Sequence, residues 1–427
     1  MVTPASRVTP AAASTLEARA LTHKAVTRGT ERVVPPAETV ARARALFGPL
    51  GITRVANVTG LDCIGIPVVM VCRPNARSLA VSQGKGLDLD AARASGLMES
   101  IELHHAERIT LPLKLATWNE LRFSHRLADV TKLPRISPSR FHPNESLLWI
   151  QGVELLSSEP RWVPYELVHT NYTLPLPSGS GCFVMSSNGL ASGNHPLEAL
   201  VHGLCEVIER DAVALFRLEP AERKAALRIE LDSITDPDAR TLLDHYERAG
   251  VAVGVWDATS DVGLPVVRCV IVDREQGAFR RLPPVEGMGC HPVREVALAR
   301  ALTEAAQGRL TLIAGSRDDN GRARYGAATD EGLAERARAV LREPGTRPFT
   351  ALPSHPAPSF EADLARILER LSSVGVTEVV VVDLTKREFS IPVVRVIVPG
   401  LETYHHVQGY APGPRALAKL EARAEQG

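Results

Sequence analysis

The sequence predicts a mixed α/β fold in which one unit, a helix followed by a strand, a turn and a second strand, occurs three times along the chain. Each copy has a glycine after its helix and opens its second strand with Pro-Val-Val. The glycines are Gly51, Gly250 and Gly375, and the strand openings are Ile66–Val69, Leu264–Val267 and Ile391–Val394. Glycine suits a helix C-cap, and proline is confined to the start or the edge of a strand. We therefore predict duplicated supersecondary units in a single sheet-and-helix body, the alternative being that Pro-Val-Val is an ordinary strand opening.

Residues 1 to about 36 precede the first unit and are rich in Ala, Pro, Thr and Arg without apolar periodicity. This composition is typical of a mobile tail, although Arg28 and Arg32 near its end are candidates for recruitment to a site. A fourth hairpin is predicted from the runs Leu148–Val153 and Trp162–Pro164, which a polar segment joins. Residues 37 to 427 are expected to form one integrated domain.

The composition argues against several classes of function. The 427 residues contain 49 Lys plus Arg and 49 Asp plus Glu, so no net charge attracts nucleic acid or anionic lipid. The apolar runs are far shorter than the roughly 20 residues that cross a bilayer, and the first residues lack an apolar signal core. Six cysteines occur without a C-x-x-C pair, which argues against zinc and thioredoxin-like sites. We expect a cytoplasmic protein that binds neither nucleic acid nor membrane.

Three longer helices are predicted after glycine-bearing turns, over residues 91–107, 196–216 and 292–313. The first turn of a helix exposes unpaired amide groups with partial positive charge, which suits phosphate. Lys85, Ser95 and Asn194 are the polar residues best placed beside these turns. We therefore expect a phosphate-bearing ligand at these junctions, the alternative for the Gly-Lys-Gly segment being a plain surface turn.

Acidic side chains recur within the first two of these helices. They are Glu99 and Glu102 in the first helix, and Glu198, Glu206 and Glu209 in the second. Their neighbours are apolar, and buried carboxylates must be paired or bound to a metal. Close carboxylates would repel each other by about 4 kcal/mol per pair at an effective dielectric constant near 20. The pattern predicts divalent cations between these five carboxylates, the alternative being a surface ion pair between Glu206 and Arg210.

The third helix contains Glu304, Gln307 and Arg309, which offer an acceptor, an amide and a cation to a nucleotide. The alternative is a salt-bridged surface helix. The chain has neither a G-x-x-x-x-G-K-[ST] loop nor the set of protein-kinase motifs, which excludes the P-loop and kinase folds. The pattern as a whole predicts a metal-nucleotide site of another kind.

Several runs of the chain resemble the YcaO family, and the resemblance covers nearly everything after residue 28. The runs are Ser82-Gln-Gly-Lys-Gly86, Ser95-Gly-Leu-Met-Glu-Ser-Ile-Glu102, Gly193-Asn194 with Glu198, Glu206-Val-Ile-Glu-Arg-Asp211 and Thr303-Glu-Ala-Ala-Gln307. The resemblance implies a YcaO-type fold with a central ATP cleft. It also implies that ATP and Mg2+ are bound by the matching residues: Ser95, Glu99, Glu102, Asn194, Glu198, Glu206, Glu209 and Gln307, together with Lys85, Glu304 and Arg309.

The chain departs from the family pattern at two places. Leu103 follows Glu102 where many members have Arg, and the chain ends without the Pro-x-Pro-x-Pro tail of many azoline-forming members. Azoline formation is therefore less favoured. The segments 51–56, 99–107 and 312–319 resemble the branch that accompanies a TfuA protein, and that branch implies thioamide formation in a peptide backbone.

The reaction implied by the resemblance is ATP-dependent phosphorylation of an amide oxygen and its replacement by sulfur. Two alternatives stay open: an azoline-forming cyclodehydratase acting on Cys, Ser or Thr of a precursor peptide, and a non-catalytic nucleotide-binding scaffold or activator. The expected partners are a peptide or protein substrate, a TfuA-like protein, a sulfur donor and, as an option, a second copy of the chain. The sequence does not identify a general base, for which Glu304 and His291 are candidates.

Overall fold

The structure is a computed structural model that describes residues 21–275, 282–317, 331–403 and 409–425. The chain divides into two compact units. Of the described residues, the first unit contains 21–23, 102–214, 357–403 and 409–425, and the second contains 24–101, 215–275, 282–317 and 331–356. The expectation of one integrated domain stays a prediction.

The secondary structure of the described residues mixes short strands with helices of very different lengths. The strands are β1 Arg54–Asn57, β2 Val68–Cys72, β3 Val81–Lys85, β4 Leu113–Thr117, β5 Ser146–Glu154, β6 Pro160–Pro164, β7 Leu190–Ser192, β8 Val251–Asp257, β9 Val266–Asp273, β10 Val285–Cys290, β11 Val380–Asp383 and β12 Val393–Ile397. The helices are α1 Pro36–Arg44, α2 Phe47–Leu50, α3 Leu89–Glu107, α4 Trp118–Leu121, α5 Pro196–Arg217, α6 Ala221–Ala226, α7 Pro237–Arg248, α8 Arg294–Ala314, α9 Glu331–Arg342, α10 Phe360–Ser373 and α11 Pro414–Ala424.

The strands form antiparallel sheets, and helices pack against them, which confirms the predicted α/β class. In the second unit two three-stranded sheets have the orders β1-β2-β3 and β10-β9-β8. Helix α8 packs on β9, β10 and α7, and the apolar core there includes Leu242, Val267 and Leu302. In the first unit one six-stranded sheet follows the order β4-β5-β11-β12-β7, with β6 paired to β5.

The three predicted units are present as helix, glycine, strand and antiparallel strand. Gly51, Gly250 and Gly375 follow α2, α7 and α10 with φ of 69°, 68° and 81°, a left-handed conformation that favours glycine. The strand pairs are β1 with β2, β8 with β9 and β11 with β12, and the fourth hairpin is β5 with β6. The three units lie in three different sheets, because the second strand of each pairs on its other side with a third strand: β3, β10 or β7.

Each of those third strands leads into one of the three predicted long helices and packs closely on it. A Cβ atom added at Gly84 would lie 2.0 Å from the Ala92 carbonyl oxygen. One added at Gly287 would lie 2.2 Å from the Ala301 carbonyl oxygen, and Gly193 is similarly close to α5. Because only glycine permits this approach, the strand backbone comes within reach of side chains on the helix.

Part of the predicted N-terminal tail is folded. Val26 and Arg32 form a β-bridge, and the guanidinium of Arg28 lies 2.8 Å from a carboxylate oxygen of Asp238. Residues 1–20 of the predicted tail lie outside the described residues. Among the helices that the structure describes, none is both long and apolar enough to cross a bilayer.

Candidate functional site

In the second unit, two equivalent glutamates contact the strands that precede their helices. The Gln83 backbone N–H donates to Glu99 Oε2 at 3.3 Å, and the Met288 N–H donates to Glu304 Oε1 at 3.3 Å. In both cases the donor lies 16 residues before the glutamate. The pairs β3–α3 and β10–α8 are therefore two copies of one strand–helix module, which holds a carboxylate against the strand backbone.

Lys85, the last residue of β3, forms an ion pair with Glu304 on α8. Gln307, one turn further along α8, donates from Nε2 to the Gln83 carbonyl oxygen at 3.3 Å. Four predicted site residues thus gather around β3: Lys85, Glu99, Glu304 and Gln307. Two carboxylates, an amide and an ammonium group together suit a phosphorylated ligand that carries a divalent cation.

The pKa of Glu99 is raised above its ordinary value, chiefly because surrounding protein shields its carboxyl group from water, although part of the residue is exposed. The Glu304 carboxylate acts in the same direction, while Arg317, the hydrogen bond from the β3 backbone and Lys85 oppose it. Burial penalises the charged form, and a cation beside the carboxylate restores it. Glu99 is therefore an acid whose ionised form a bound metal ion would stabilise.

Arg309 does not join this group. Its Nε atom lies 2.8 Å from Asp62 Oδ2, and its Nη2 atom lies 2.9 Å from Asp273 Oδ1. The side chain is buried between these two carboxylates. The predicted contact between Arg309 and a nucleotide is not supported, because both faces of its guanidinium fork are used to tie α8 to neighbouring segments of the second unit.

In the first unit, the segment from β7 into α5 contacts two more of the predicted acids. Ser192 donates its backbone N–H and its hydroxyl group to Glu102 Oε1, at 2.8 and 2.7 Å. Asn194 donates its backbone N–H and its side-chain amide to Glu198 Oε1, at 3.3 and 3.4 Å. Both carboxylates are therefore held in fixed orientations by groups of the β7–α5 turn.

Further along α5, Arg210 lies beside the other two acids. Its Nη2 atom is 3.8 Å from Glu206 Oε1, and its Nη1 atom is 3.2 Å from Glu209 Oε1. The ion pair that was the alternative for Glu206 is thus present. It is not a fully solvated surface pair, because the side chains of Glu206 and Arg210 are only 20% and 19% exposed.

The first turns of the long helices were expected to bind phosphate, and in each of them a side chain caps one backbone amide group. Asp88 Oδ1 accepts from the Ala91 N–H of α3 at 2.8 Å. His291 Nδ1 accepts from the Val293 N–H before α8 at 3.0 Å, and His195 caps α5 in the same manner. Each acceptor satisfies one amide group at or near the start of its helix, and the predicted phosphate sites there stay predictions.

The helices α3, α5 and α8 are buried almost all round, and each has one row of partly exposed side chains, here called its open row. On α3 after residue 94 the open row contains residues 95, 98, 99 and 102. On α5 between residues 198 and 216 it contains 202, 206 and 210, and on α8 between 296 and 312 it contains 300, 304, 307 and 308. A spacing of three or four residues places each row on one helix face, where a ligand can reach it.

The open rows add three polar residues that the sequence analysis did not assign to the site. His202 and Arg300 each lie four residues before the first acid of their row, which is the position of Ser95 relative to Glu99. Arg210 ends the row on α5. The spacing was visible in the sequence, but only burial distinguishes these positions from those of an ordinary surface helix.

A family model described as YcaO cyclodehydratase, binding ATP and Mg2+, matches residues 83–402. The chain belongs to the YcaO family. A Rhizobium leguminosarum bv. trifolii protein named for its position in the tfuA 3′ region is 37% identical over 394 residues, which cover 91% of this chain and 92% of that protein. A protein of Methanothermobacter thermautotrophicus is 38% identical over 387 residues, covering 87% of this chain and 95% of its own length.

Two solved structures share the fold. The YcaO protein from Methanopyrus kandleri, bound with AMPPCP and Mg2+, superposes with a TM-score of 0.72 at 26% identity, covering 92% of this chain and 99% of that one. A heterocyclase in complex with substrate and cofactor gives a TM-score of 0.75 at 23% identity, covering 95% of this chain and 56% of that one. The predicted YcaO-type fold is confirmed, and the chain is a member of a family of ATP-using, peptide-modifying enzymes.

The donor groups of this YcaO protein fit Mg2+ together with a nucleotide. In the part of the chain that the structure describes, no three His, Cys, Asp or Glu side chains are grouped closely enough to hold a metal ion. Mg2+ rarely uses such a cage, since it is commonly bound by one or two carboxylates, phosphate oxygens and waters. Glu99, whose carboxylate is destabilised by burial, and the nearby Lys85–Glu304 pair match that mode. ATP and Mg2+, the predicted cofactors, are those of the family.

Proposed function

We propose that this YcaO protein converts a peptide backbone amide into a thioamide, using ATP, a sulfur donor and a TfuA-like partner protein. The observation that carries the proposal is the 37% identity, over 91% of the chain, to the rhizobial protein of the tfuA 3′ region. Relatives at this level of identity and coverage share a fold throughout. The position of that relative beside tfuA supports the same pairing for this chain.

The chemistry requires an activated amide. Resonance makes the amide planar and its carbonyl carbon a poor electrophile. A sulfur nucleophile adds to that carbon, and the resulting oxyanion attacks the γ-phosphorus of ATP and releases ADP. Loss of phosphate, together with loss of the proton on sulfur, then breaks the C–O bond and leaves C=S. The protein's part is to position the reactants and to neutralise charge, as in other phosphoryl transfers.

The residues of the open rows and their neighbours divide by chemistry into two sets. For the nucleotide we propose Lys85, Ser95, Asn194, Glu304 and Gln307. For Mg2+ we propose the five carboxylates Glu99, Glu102, Glu198, Glu206 and Glu209. Mg2+ would neutralise phosphate charge there, while the ammonium and amide groups orient the phosphates. Arg309 is left out because Asp62 and Asp273 already bind it.

The experiment is incubation of the purified protein with a candidate precursor peptide, ATP, Mg2+, sulfide and the TfuA-like protein, followed by mass spectrometry. Thioamide formation exchanges one oxygen for one sulfur, with one ADP released per modified amide. Glu304→Gln should abolish both the mass change and the ADP release. The control is Glu222→Gln, an exposed acid on α6, which should leave both unchanged.

The other candidate functions give different products in the same assay. A cyclodehydratase would release ADP while the peptide loses one water, and it would not need sulfide. A non-catalytic scaffold would bind ATP without releasing phosphate, even with peptide, sulfide and the TfuA-like protein present. Either result would overturn the proposed thioamide formation.

A further inference from the structure

Arg395 is a buried arginine in the central part of the first unit's sheet. It lies on β12 opposite Leu190 of β7 and Val382 of β11, and its side chain is 2% exposed. Its Nη2 atom donates to the Ser186 carbonyl oxygen at 2.7 Å. Among the described residues, Nε and Nη1 have no hydrogen-bond acceptor. Two donor groups of a buried guanidinium are therefore left without a protein partner.

Within the described ranges of the chain, the charge of Arg395 also has no direct counter-ion. None of the described carboxylates lies within ion-pair distance of its guanidinium, and Glu206 and Tyr172 act on it only through longer-range electrostatics. Burial lowers the pKa of Arg395 to about 10, so the group stays protonated at neutral pH. Burying an uncompensated charge is costly, and a buried ion normally has a partner of opposite charge.

His169 supplies a second donor within electrostatic reach of Arg395. Its Nδ1 atom accepts from the Asn171 N–H at 3.2 Å, so the proton of the neutral ring is on Nε2. Burial and the Arg395 charge lower its pKa to about 4, which keeps the ring neutral. The Nε2–H group has no acceptor among the described residues.

We propose that Arg395, with His169 as a neighbouring donor, binds one small monovalent anion, and that chloride and hydrosulfide are its natural occupants. A water molecule would satisfy the N–H groups but not the charge, whereas a monovalent anion satisfies both. The 2% exposure of Arg395 favours a small anion over a phosphate group. The hydrosulfide assignment rests on the proposed thioamide function, because hydrosulfide is the sulfur nucleophile that reaction needs; the anion site itself does not.

The anion site is tested by crystallography with bromide, a heavier analogue of chloride. Crystals of the full chain soaked in bromide should show an anomalous peak within hydrogen-bond distance of Arg395 Nε and Nη1. Arg395→Met, which keeps the length of the side chain without its charge, should lose that peak. If the variant does not fold, the wild-type crystal alone decides. A water molecule with no anomalous signal beside Arg395 would overturn the proposal.

The hydrosulfide assignment is tested by competition in the thioamide assay. Replacing glutamate salt by chloride should raise the KM for sulfide about fivefold and leave kcat unchanged, which is the pattern of competition for one site. An unchanged KM, with bromide bound in the crystal, would restrict the site to a structural halide and overturn its role in sulfide binding. If no thioamide forms at all, the proposed function fails, while the bromide result still decides the anion site.

Discussion

At the scale of single residues, Glu99 beside β3 shows burial and nearby positive charge shifting one pKa in opposite directions. Burial raises the pKa of Glu99, and Lys85 forms an ion pair with Glu304. A folded-state pKa above the unfolded value means that folding favours the protonated acid. The ligand-free protein should therefore lose stability as the pH rises through the window between those two values. Binding of Mg2+, which needs the carboxylate, should strengthen with pH across the same window.

Glu99→Gln should separate these two effects. The amide keeps an oxygen for the hydrogen bond from the Gln83 N–H, but it cannot ionise. We expect the ligand-free variant to have a higher melting temperature than the wild type at neutral pH, and to lose the pH dependence that Glu99 causes. We also expect ATP turnover to fall about 100-fold, a typical cost of removing a charge-stabilising group. Thermal melts from pH 4 to 8 and an ADP-release assay measure both effects.

Glu222→Gln is the control for this prediction, because Glu222 is exposed on α6 and its loss should change neither measurement. A Glu99→Gln protein that melts at a lower temperature and turns over ATP normally would show that Glu99 is only a structural acceptor for the β3 backbone.

Local sequence patterns pointed to individual residues whose site roles stay predictions. Acids in apolar helices indicated Glu99, the third helix offered Glu304 as an acceptor, and the structure places both against strand backbones. Arg309 misled the sequence analysis because its partners Asp62 and Asp273 are distant along the chain, and no helical spacing reveals them. Arg395 was not noticed, since a single arginine among valines does not show in the sequence whether its charge is paired.

At the scale of elements, the strand–helix module depends on close backbone approach. A Cβ atom at Gly84 would lie 2.0 Å from the Ala92 carbonyl oxygen and 2.1 Å from the Gly96 nitrogen, so α3 would have to move away from β3. We expect Gly84→Ala to lower the free energy of unfolding by about 3 kcal/mol, the upper range for overpacked positions. The displaced α3 should also weaken ATP binding. Urea unfolding and nucleotide titration measure the two effects.

Gly48→Ala is a matched control for Gly84→Ala. Gly48 lies in α2, has an ordinary φ, and an added Cβ atom would meet nothing within 4 Å. Alanine is the better helix former, so the variant should be as stable as the wild type or more stable by up to about 1 kcal/mol. Equal effects at both positions would argue that close packing of β3 on α3 does not limit stability.

Helix α11 is tied to α5 by a buried ion pair. Arg415 donates from Nε and Nη2 to the two carboxylate oxygens of Asp211, at 2.9 and 3.1 Å. Asp211 is fully buried and also accepts from the Glu402 N–H at 2.9 Å. Arg415→Met should therefore destabilise the first unit by about 3 kcal/mol, because it leaves a buried carboxylate unpaired. Urea unfolding measures the loss, and limited proteolysis reports release of α11.

The exposed Arg423 on the same helix provides the comparison, since Arg423→Met should cost less than about 0.5 kcal/mol. Asp211→Asn combined with Arg415→Met should recover part of the stability, because no unpaired charge is then buried. If Arg415→Met and Arg423→Met were equally mild, the Asp211 pair would not be what holds α11.

Hydrophobic pattern and glycine position were enough to predict most elements. The three long helices begin and end within two residues of their predicted bounds, and all four hairpins are present. The pairing of each hairpin with β3, β7 or β10 could not be predicted, because those strands are short and rich in small or polar residues. Capping of the helix starts by Asp88, His195 and His291 could not be predicted either, since it depends on side-chain conformations that composition does not reveal.

At the scale of the whole molecule, the family assignment requires that Mg2+-ATP stabilise the folded chain. A ligand that binds only the native state adds about 2.7 kcal/mol at a concentration of 100 times its Kd. We expect the melting temperature to rise with ATP and Mg2+ together and to return to its ligand-free value when EDTA removes the metal. Differential scanning calorimetry measures this shift.

The same rise in melting temperature can be measured for one carboxylate variant from each unit. Glu304→Gln removes the partner of Lys85 in the second unit, and Glu206→Gln removes a partner of Arg210 in the first. Each variant should lose most of the Mg2+-ATP shift if its acid contacts the ligand, whereas Glu222→Gln should keep it. A variant that keeps the full shift would exclude the acids of its unit from nucleotide binding. The reason is linkage: a side chain that contacts the ligand must contribute to the stability that the ligand confers.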